Sequence, residues 1–308
     1  MTSSNSTTQL PVSIESLSRQ FGNKNALNNV SLNIQAGQVF GIVGENGAGK
    51  TTLIKHLLGL YKAQQGSVKI FGLDPVESPE QVLSRIGYLS EEPDMPAWMT
   101  VSELLNYTAS FYPSWDMTYA NELIDMFEVS PNKKVKDLSK GQKARVGLCL
   151  AQAHRPDLLL LDEPSSGLDP NVRNDILAAI IRTVVDEGRT VIFSSHLLEE
   201  VERVSDHLLM LSHGHVLLSD SMDNVLTQHH RFVINKTFNE LTTQNLPPII
   251  RSDSNGKECV IDVFGDKQAI EAELAAQGSK VLSYKSMTLN DIFVARSKQQ
   301  HPTAETMQ

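Results

Sequence analysis

Residues 39–51 read Val-Phe-Gly-Ile-Val-Gly-Glu-Asn-Gly-Ala-Gly-Lys-Thr, and this stretch decides the fold. Its apolar run, residues 39–43, predicts a strand that is buried on both faces. The next eight residues match G-x-x-x-x-G-K-[ST], and a helical pattern, Thr52–Leu60, follows. Glycines let consecutive N–H groups converge on one anion at a helix start, Lys50 can reach the β- and γ-phosphates, and Thr51 offers a hydroxyl to Mg²⁺. The stretch therefore predicts a nucleotide phosphate site formed by Gly44, Glu45, Asn46, Gly47, Ala48, Gly49, Lys50, Thr51 and Thr52.

A second apolar run, Leu158–Leu161, ends in the acidic pair Asp162 and Glu163. Adjacent residues of an extended chain point to opposite sides, so the two carboxylates cannot easily share one task. Phosphoryl transfer needs both charge neutralisation and a positioned nucleophile. The pair thus predicts one carboxylate that serves Mg²⁺ and one that faces an attacking water.

Strand and helix patterns alternate along much of the remaining chain. Residues 190–193 predict another buried strand, while residues 30–34 and 68–70 alternate as half-buried strands do. Apolar residues at a period of 3.6 predict a helix over 171–187. We expect an α/β fold of the P-loop NTPase class, with a mainly parallel sheet core and additional antiparallel β strands.

The pattern changes in two places. Residues from about 92 to 140 read as helices without strands, which predicts an all-helical subdomain inside an ATPase domain of residues 11–229. Residues 230–297 read as strand, helix, strand (257–264, 267–276 and 280–286), which predicts a small α+β C-terminal appendage. Residues 1–10 and 298–308 are polar and are predicted to be a disordered start and a loose tail.

The composition is that of a globular protein with an acidic balance. The chain has 308 residues, with 27 Lys and Arg against 36 Asp and Glu, so the net charge is −9. This balance argues weakly against nucleic acid as a direct partner. The longest clean apolar run, Ile176–Ile181, is far too short to span a bilayer, so any work at a membrane requires a partner. Two cysteines provide neither a disulfide framework nor a four-ligand metal site.

The stretch Leu138-Ser-Lys-Gly-Gln142 separates this sequence from other nucleotide-binding proteins. Its serine and glycine lie at a helix start and make a second anion site. Because the phosphate loop of this chain already binds one phosphate group, the second site needs a different one. The stretch resembles the LSGGQ signature of ATP-binding-cassette (ABC) transporter ATPases, and the resemblance covers about Val12 to Met222. Three further elements match in order: Phe21 where an aromatic ring stacks on adenine, Ser165–Asp169 as the loop that crosses the dimer interface, and His196 as the switch histidine.

The resemblance implies a head-to-tail dimer with two ATP molecules between the subunits, the partner being a second copy or a homologous cassette. Each ATP would lie on one phosphate loop and be closed by the signature of the other subunit. Glu163, His196 and Lys50 would be catalytic, and Thr51, Asp162 and Glu91 would serve Mg²⁺. The nucleotide contacts implied beyond the phosphate loop are Phe21, Ser139, Gly141, Gln142 and Asp169.

Two residues depart from the family pattern. Glu91 stands where the family usually has glutamine, and its carboxylate oxygen is still a suitable ligand for Mg²⁺. Lys140 replaces the first glycine of the signature. Its ammonium either adds positive charge near the partner's phosphate or is solvated.

Three less specific stretches of sequence resemble cassettes of the ABC-2 export type. Such cassettes pair with a separate integral membrane permease and work at the cytoplasmic face of the membrane. The three stretches lie at 87–93, 111–116 and 287–293. The alternatives are an importer cassette, a soluble ABC ATPase acting on translation or DNA, and a regulator that binds ATP without hydrolysing it. The intact Glu163 and His196 argue against the regulator.

Two further groups of residues lie outside these motifs. Met95, Trp98 and Met99 are large apolar residues in a predicted loop, and the resemblance implies that this region receives a helix of the permease. His213, His215, His229 and His230 have no surrounding cysteine or carboxylate frame, so we interpret them as loop or surface residues.

Overall fold

A computed structural model describes residues 10–185 and 188–300. They form two compact units, and the boundary between the units follows Val216. This boundary lies 13 residues before the predicted one at 229. The strands are β1 (Val12–Phe21), β2 (Lys24–Ile34), β3 (Val39–Val43), β4 (Gln65–Ile70), β5 (Ile86–Leu89), β6 (Leu158–Asp162), β7 (Thr190–Ser195), β8 (His207–Ser212), β9 (His215–Ser221), β10 (His229–Ile234), β11 (Ile249–Asn255), β12 (Glu258–Phe264) and β13 (Val281–Ser286). The α-helices are α1 (Lys50–Leu57), α2 (Pro79–Leu83), α3 (Val101–Ala109), α4 (Met117–Met126), α5 (Lys140–Gln152), α6 (Pro170–Val185), α7 (Leu198–Val204), α8 (Met222–Gln228), α9 (Lys267–Ala276) and α10 (Leu289–Gln300).

The first unit is built on a six-stranded sheet in the order β5-β6-β7-β3-β8-β9. The neighbours from β5 to β8 pair in parallel. Every residue of β3, β6 and β7 is buried, as expected for strands covered by helices on both faces. An antiparallel sheet in the order β2-β1-β4 accompanies it, so the expected α/β fold with antiparallel strands is confirmed.

The register of the parallel strands brings the predicted site residues to one edge. Val43, the last residue of β3, pairs with Ser195 of β7, and Asp162 of β6 pairs with Ser194. Because β7 lies between β3 and β6, the loops after these three strands leave the same edge of the sheet. The phosphate loop, the acidic pair and His196 all follow directly.

Helices dominate the segment from 92 to 140, apart from a single bridge between Thr100 and Lys134. Thr100 and Glu103 form a capping box that starts α3, and the Asp116 carboxylate caps α4. Cys149 lies in α5 and is fully buried, and this burial raises the pKa of its thiol to about 12.

The second unit contains a four-stranded antiparallel sheet in the order β11-β12-β10-β13. Its core includes Phe232 and Ile234 of β10, with Ile261 of β12 and Ile270 of α9. The strand, helix and strand expected at 257–264, 267–276 and 280–286 are present as β12, α9 and β13. Helix α10 continues to Gln300, and therefore includes the first residues of the tail predicted from 298; residues 1–9 and 301–308 lie outside the described residues.

The interpretation of His229 and His230 as loop or surface residues is wrong. Both lie in β10, where they are 0% and 4% exposed. The Nδ1 of His229 lies 2.7 Å from the Val225 carbonyl oxygen, and its Nε2 accepts a hydrogen bond of 2.9 Å from Arg296. Since both ring nitrogens have partners, this ring is a satisfied core residue, and burial lowers its pKa to about 4.

Candidate functional site

The phosphate loop joins β3 to α1 in a conformation that requires glycine. Gly47 and Gly49 have φ angles of +81° and +115°. A Cβ at Gly44 would lie 2.4 Å from the Leu211 carbonyl oxygen, and one at Gly49 would lie 2.5 Å from that of Ala26. Lys50 is the first residue of α1, and the exposed fraction of its side chain is 6%. The loop therefore presents its backbone N–H groups and one buried ammonium at a helix start, as an anion site requires.

A pocket of about 380 Å³ opens beside this loop. The predicted residues that line it are Phe21, Glu45, Asn46, Gly47, Gly49, Lys50, Thr51, Thr52, Glu91 and Glu163. Gly44 and Ala48 lie within the loop but do not line the pocket. Lys24 and Ala26 also line the pocket, and they were not predicted from the sequence. The Gly22-Asn23 turn indicates a hairpin, and this hairpin brings Lys24 opposite Phe21.

Lys50, Glu163 and His196 form a continuous chain of contacts. The Lys50 ammonium lies 2.9 Å from Oε1 of Glu163 and donates a hydrogen bond of 2.6 Å to the Gly44 carbonyl. The other carboxylate oxygen of Glu163, Oε2, lies 2.7 Å from Nδ1 of His196. Glu163 adopts a φ of +49°, an uncommon conformation for a residue other than glycine. The three residues predicted to be catalytic are thus brought together, with Lys50 and Glu163 paired to each other.

Asp162 lies on the other side of the same strand end. The Ser194 hydroxyl donates a hydrogen bond of 2.7 Å to the Asp162 carboxylate and accepts one of 2.9 Å from the Glu163 N–H. Burial raises the pKa of the Asp162 carboxyl, and hydrogen bonds from Ser194 and Thr51 act in the opposite direction. The contact with Thr51 places two of the three predicted metal residues together, and their hard oxygen atoms fit Mg²⁺.

Glu91 connects the pocket to the loop Ser165–Asp169. It accepts a hydrogen bond of 3.0 Å from the Ser166 hydroxyl and also lines the nucleotide pocket. Lys140 approaches the same loop, since a Cβ at Gly167 would lie 2.7 Å from its Nζ. The two departures from the family pattern thus meet at one loop.

Glu200 contacts the loop Ser165–Asp169 through Ser165. The sequence does not identify it as a site residue. It is 5% exposed and accepts hydrogen bonds of 2.6 Å from Ser165 and 2.9 Å from Ser195, while Arg173 lies 3.1 Å from its other carboxylate oxygen. Since Ser195 precedes His196, Glu200 ties the histidine turn to the loop. An acidic residue in a helical stretch gave no local signal of this role.

The signature residues do not line the pocket of their own chain. Ser139 caps α5 and forms a capping box with Gln142, whose side chain also accepts a hydrogen bond of 2.9 Å from Lys133. Gly141 packs against Val172, and the Asp169 carboxylate caps the start of α6 through the N–H groups of Asn171 and Val172. Ser139 remains exposed at the start of a 13-residue helix.

Comparisons with known proteins agree with this geometry. The family profile described as "ABC transporter" matches residues 27–166. The chain is 28% identical to the ABC transporter ATP-binding protein YtrB of Bacillus subtilis over 92% of this chain and 97% of that protein. It is 31% identical to the bacitracin transport ATP-binding protein BcrA of Bacillus licheniformis, over 70% and 72% of the two chains. It is 32% identical to the ABC transporter ATP-binding protein NatA of Bacillus subtilis, over 74% and 96%.

Solved structures lead to the same family. An ATP-binding subunit of an ABC transporter superimposes with a TM-score of 0.64 at 27% identity, over 70% of this chain and 91% of that chain. A dimeric ATP-binding cassette in a post-hydrolysis state with ADP and Pi has a TM-score of 0.61 at 25% identity, over 68% and 98%. Within the described residues, no helix is both long and apolar enough to cross a membrane. The chain therefore belongs to the ABC transporter family, as an ATP-hydrolysing, ATP-binding subunit.

Proposed function

We propose that this subunit powers export through a separate permease of the ABC-2 type at the cytoplasmic face of a membrane. The observation that carries the ATPase part is the Lys50–Glu163–His196 chain beside the phosphate loop. The export part is supported by the 31% identity to a bacitracin transport ATP-binding protein.

In this proposal each residue of the pocket has a task. Phe21, 42% exposed at the pocket wall, stacks on adenine, and the phosphate loop binds the phosphates. The incoming triphosphate replaces Glu163 as the partner of Lys50. Glu163 then orients the attacking water, while His196 contacts the γ-phosphate.

Thr51, Asp162 and Glu91 would hold Mg²⁺. The ion, when bound, neutralises charge on the β- and γ-phosphates. Ser194 fixes the orientation of the Asp162 carboxylate, and Ser166 competes for the Glu91 carboxylate. The few protein oxygens involved suit an ion that keeps several waters and substrate phosphates as ligands.

A second cassette completes each site in our proposal. The exposed N-terminus of α5 carries Ser139 and Gly141 without using them at the pocket of the same chain. Its partial positive charge suits the phosphate of a partner's ATP. The dimeric state of the post-hydrolysis relative supports this arrangement.

An apolar groove of about 380 Å³ suits a helix of the permease. Its walls come from the residues after α1, from the end of α2, from β5, from the end of α3 and the residues after it, and from α5. They include Leu58, Leu60, Leu83, Tyr88 and Tyr112. Leu60, which is 62% exposed, and Leu83, which is 37% exposed, present apolar surface at this groove. The loop singled out from the sequence does not line the groove: Met99 is buried, and Trp98 is exposed elsewhere.

The test uses tagged Glu163→Gln protein, loaded with ATP and Mg²⁺ and recovered from detergent-solubilised host membranes. We expect nucleotide binding without turnover and near-equal recovery of one polytopic membrane protein. The matched variants are Leu60→Asp in the groove, which should lose that protein, and Trp98→Asp outside it, which should keep it. Recovery of ribosomes or nucleic acid instead would refute export and favour a soluble cassette, whereas near-wild-type turnover of Glu163→Gln would refute the catalytic assignment.

A further inference from the structure

We propose that Lys24 is a second cation of the nucleotide pocket, which binds the phosphate chain alongside the phosphate loop. Lys24 is the first residue of β2 and lines the pocket together with Phe21 and the loop. Its Nζ lies 3.4 Å from the position that a Cβ at Gly47 would occupy. The ammonium therefore lies directly against the loop that receives the phosphates.

The β1–β2 hairpin explains how one short segment serves both ends of a nucleotide. Phe21 and Lys24 are paired across the turn, so their positions are fixed relative to each other by backbone hydrogen bonds. Arg19 stacks on Phe21, with its guanidinium 4.7 Å from the ring centroid, and Tyr61 packs edge-on against the same ring. The hairpin thus presents a braced aromatic ring for the base and, beside it, an ammonium for the phosphates.

The charges that line the pocket give Lys24 its importance. The lining cations are Lys24 and Lys50, and the lining carboxylates are Glu45, Glu91 and Glu163. Lys50 is engaged by Glu163 at 2.9 Å. In the part of the chain that the structure describes, Lys24 has neither an ion pair nor a hydrogen bond through its ammonium. Lys24 can therefore bind a phosphate group without breaking an ion pair, whereas Lys50 must first leave Glu163. The charge of Lys24 also offsets the lining carboxylates when the polyphosphate enters.

This inference rests on ATP binding and is independent of the proposed export. The test measures the dissociation constants of ADP, a non-hydrolysable ATP analogue and adenosine by calorimetry on the full chain. Lys24→Met keeps the length of the side chain but removes its charge. We expect about tenfold weaker binding of both phosphorylated ligands at low salt, with adenosine unchanged, and a smaller effect at about 0.5 M salt because the ammonium is exposed.

Three controls make the result specific. Lys69→Met removes the same charge from an exposed position on β4, outside the pocket, and should leave all three constants unchanged. Lys24→Arg should restore most of the binding, and Phe21→Leu should weaken adenosine and ADP by a similar factor. Unchanged ADP binding in Lys24→Met, or an equal loss of adenosine binding, would overturn the proposal; thermal melting of each variant establishes that it is folded.

Discussion

The ion pair between Lys50 and Glu163 gives a quantitative prediction for the nucleotide-free protein. The two side chains are 6% and 8% exposed, and their charged atoms are 2.9 Å apart. Removing one member of a buried ion pair typically costs about 3 to 5 kcal/mol, because the other charge stays buried without its partner. In Glu163→Gln the amide oxygen still accepts a hydrogen bond, which offsets about 1 kcal/mol. We therefore expect a loss of about 3 kcal/mol in the free energy of unfolding.

A double-mutant cycle separates the pair from other effects of the substitutions. Lys50→Met alone leaves a buried carboxylate without its partner. The double variant, Lys50→Met with Glu163→Gln, removes both charges. Its loss in the free energy of unfolding should be about 2 to 3 kcal/mol smaller than the sum of the losses in the two single variants. The assay is urea unfolding without nucleotide, followed by the fluorescence of Trp98 and Trp115, both of which lie in the first unit. Saturating ATP should shrink the deficit of Glu163→Gln, since the triphosphate then pairs with Lys50. Additive single variants, or a fully stable Glu163→Gln protein, would refute the reasoning.

Three further predictions concern other parts of the chain. Glu91→Gln should require about fivefold more Mg²⁺ for half-maximal ATP hydrolysis, a change of about 1 kcal/mol in ion binding; an unchanged Mg²⁺ titration would remove Glu91 from the metal site. Gly141→Ala should lose about 1 to 3 kcal/mol in urea unfolding, because its Cβ would lie 2.9 Å from a methyl group of Val172, and Val172→Ala should restore the loss. The second unit should lose stability as the pH falls from about 6.5 to 4. The unfolded chain binds a proton at His229 that the folded ring, with its pKa of about 4, does not, and this costs about 3 kcal/mol. The loss should be smaller by about that amount in the pH profile of His229→Gln, which retains the loss due to His230, whose pKa is also lowered by burial.

The phosphate site could be predicted from the sequence because its signals are local. A strand such as β3 is apolar at every position except its glycine, and the loop that follows has its glycines where positive φ or close approach demands them. Glu163 was also predictable as a residue at a strand end, whereas His196 was expected only from the family resemblance. Their meeting at one edge then follows from the parallel register of β6 and β7.

Lys24 and Glu200 could not be predicted in the same way. Lys24 reaches the phosphate loop only because the β1–β2 hairpin folds over it, and Glu200 reaches Ser165 only because α7 lies below the loop. His229 shows the opposite failure. The sequence around it has no cysteine or carboxylate frame, so we interpret it as a loop or surface residue, whereas the fold buries it and supplies partners for both ring nitrogens. In each case a long-range contact decides the environment of a polar side chain, and no local pattern encodes that contact.

The acidic residues of the site share a feature that bears on how nucleotide binding is coupled to movement. Glu163 is paired with Lys50, Glu91 accepts a hydrogen bond from Ser166, and Glu200 holds Ser165. A triphosphate that engages Lys50 must displace Glu163, and a metal that engages Glu91 must draw it away from Ser166. Part of the binding free energy is therefore spent on breaking these contacts, which lowers the measured affinity. In the proposed mechanism, the same exchange would release the loop Ser165–Asp169 from Glu91 while Glu200 still holds Ser165. Occupation of the pocket would then change the restraint on the segment that the family resemblance places at the dimer interface.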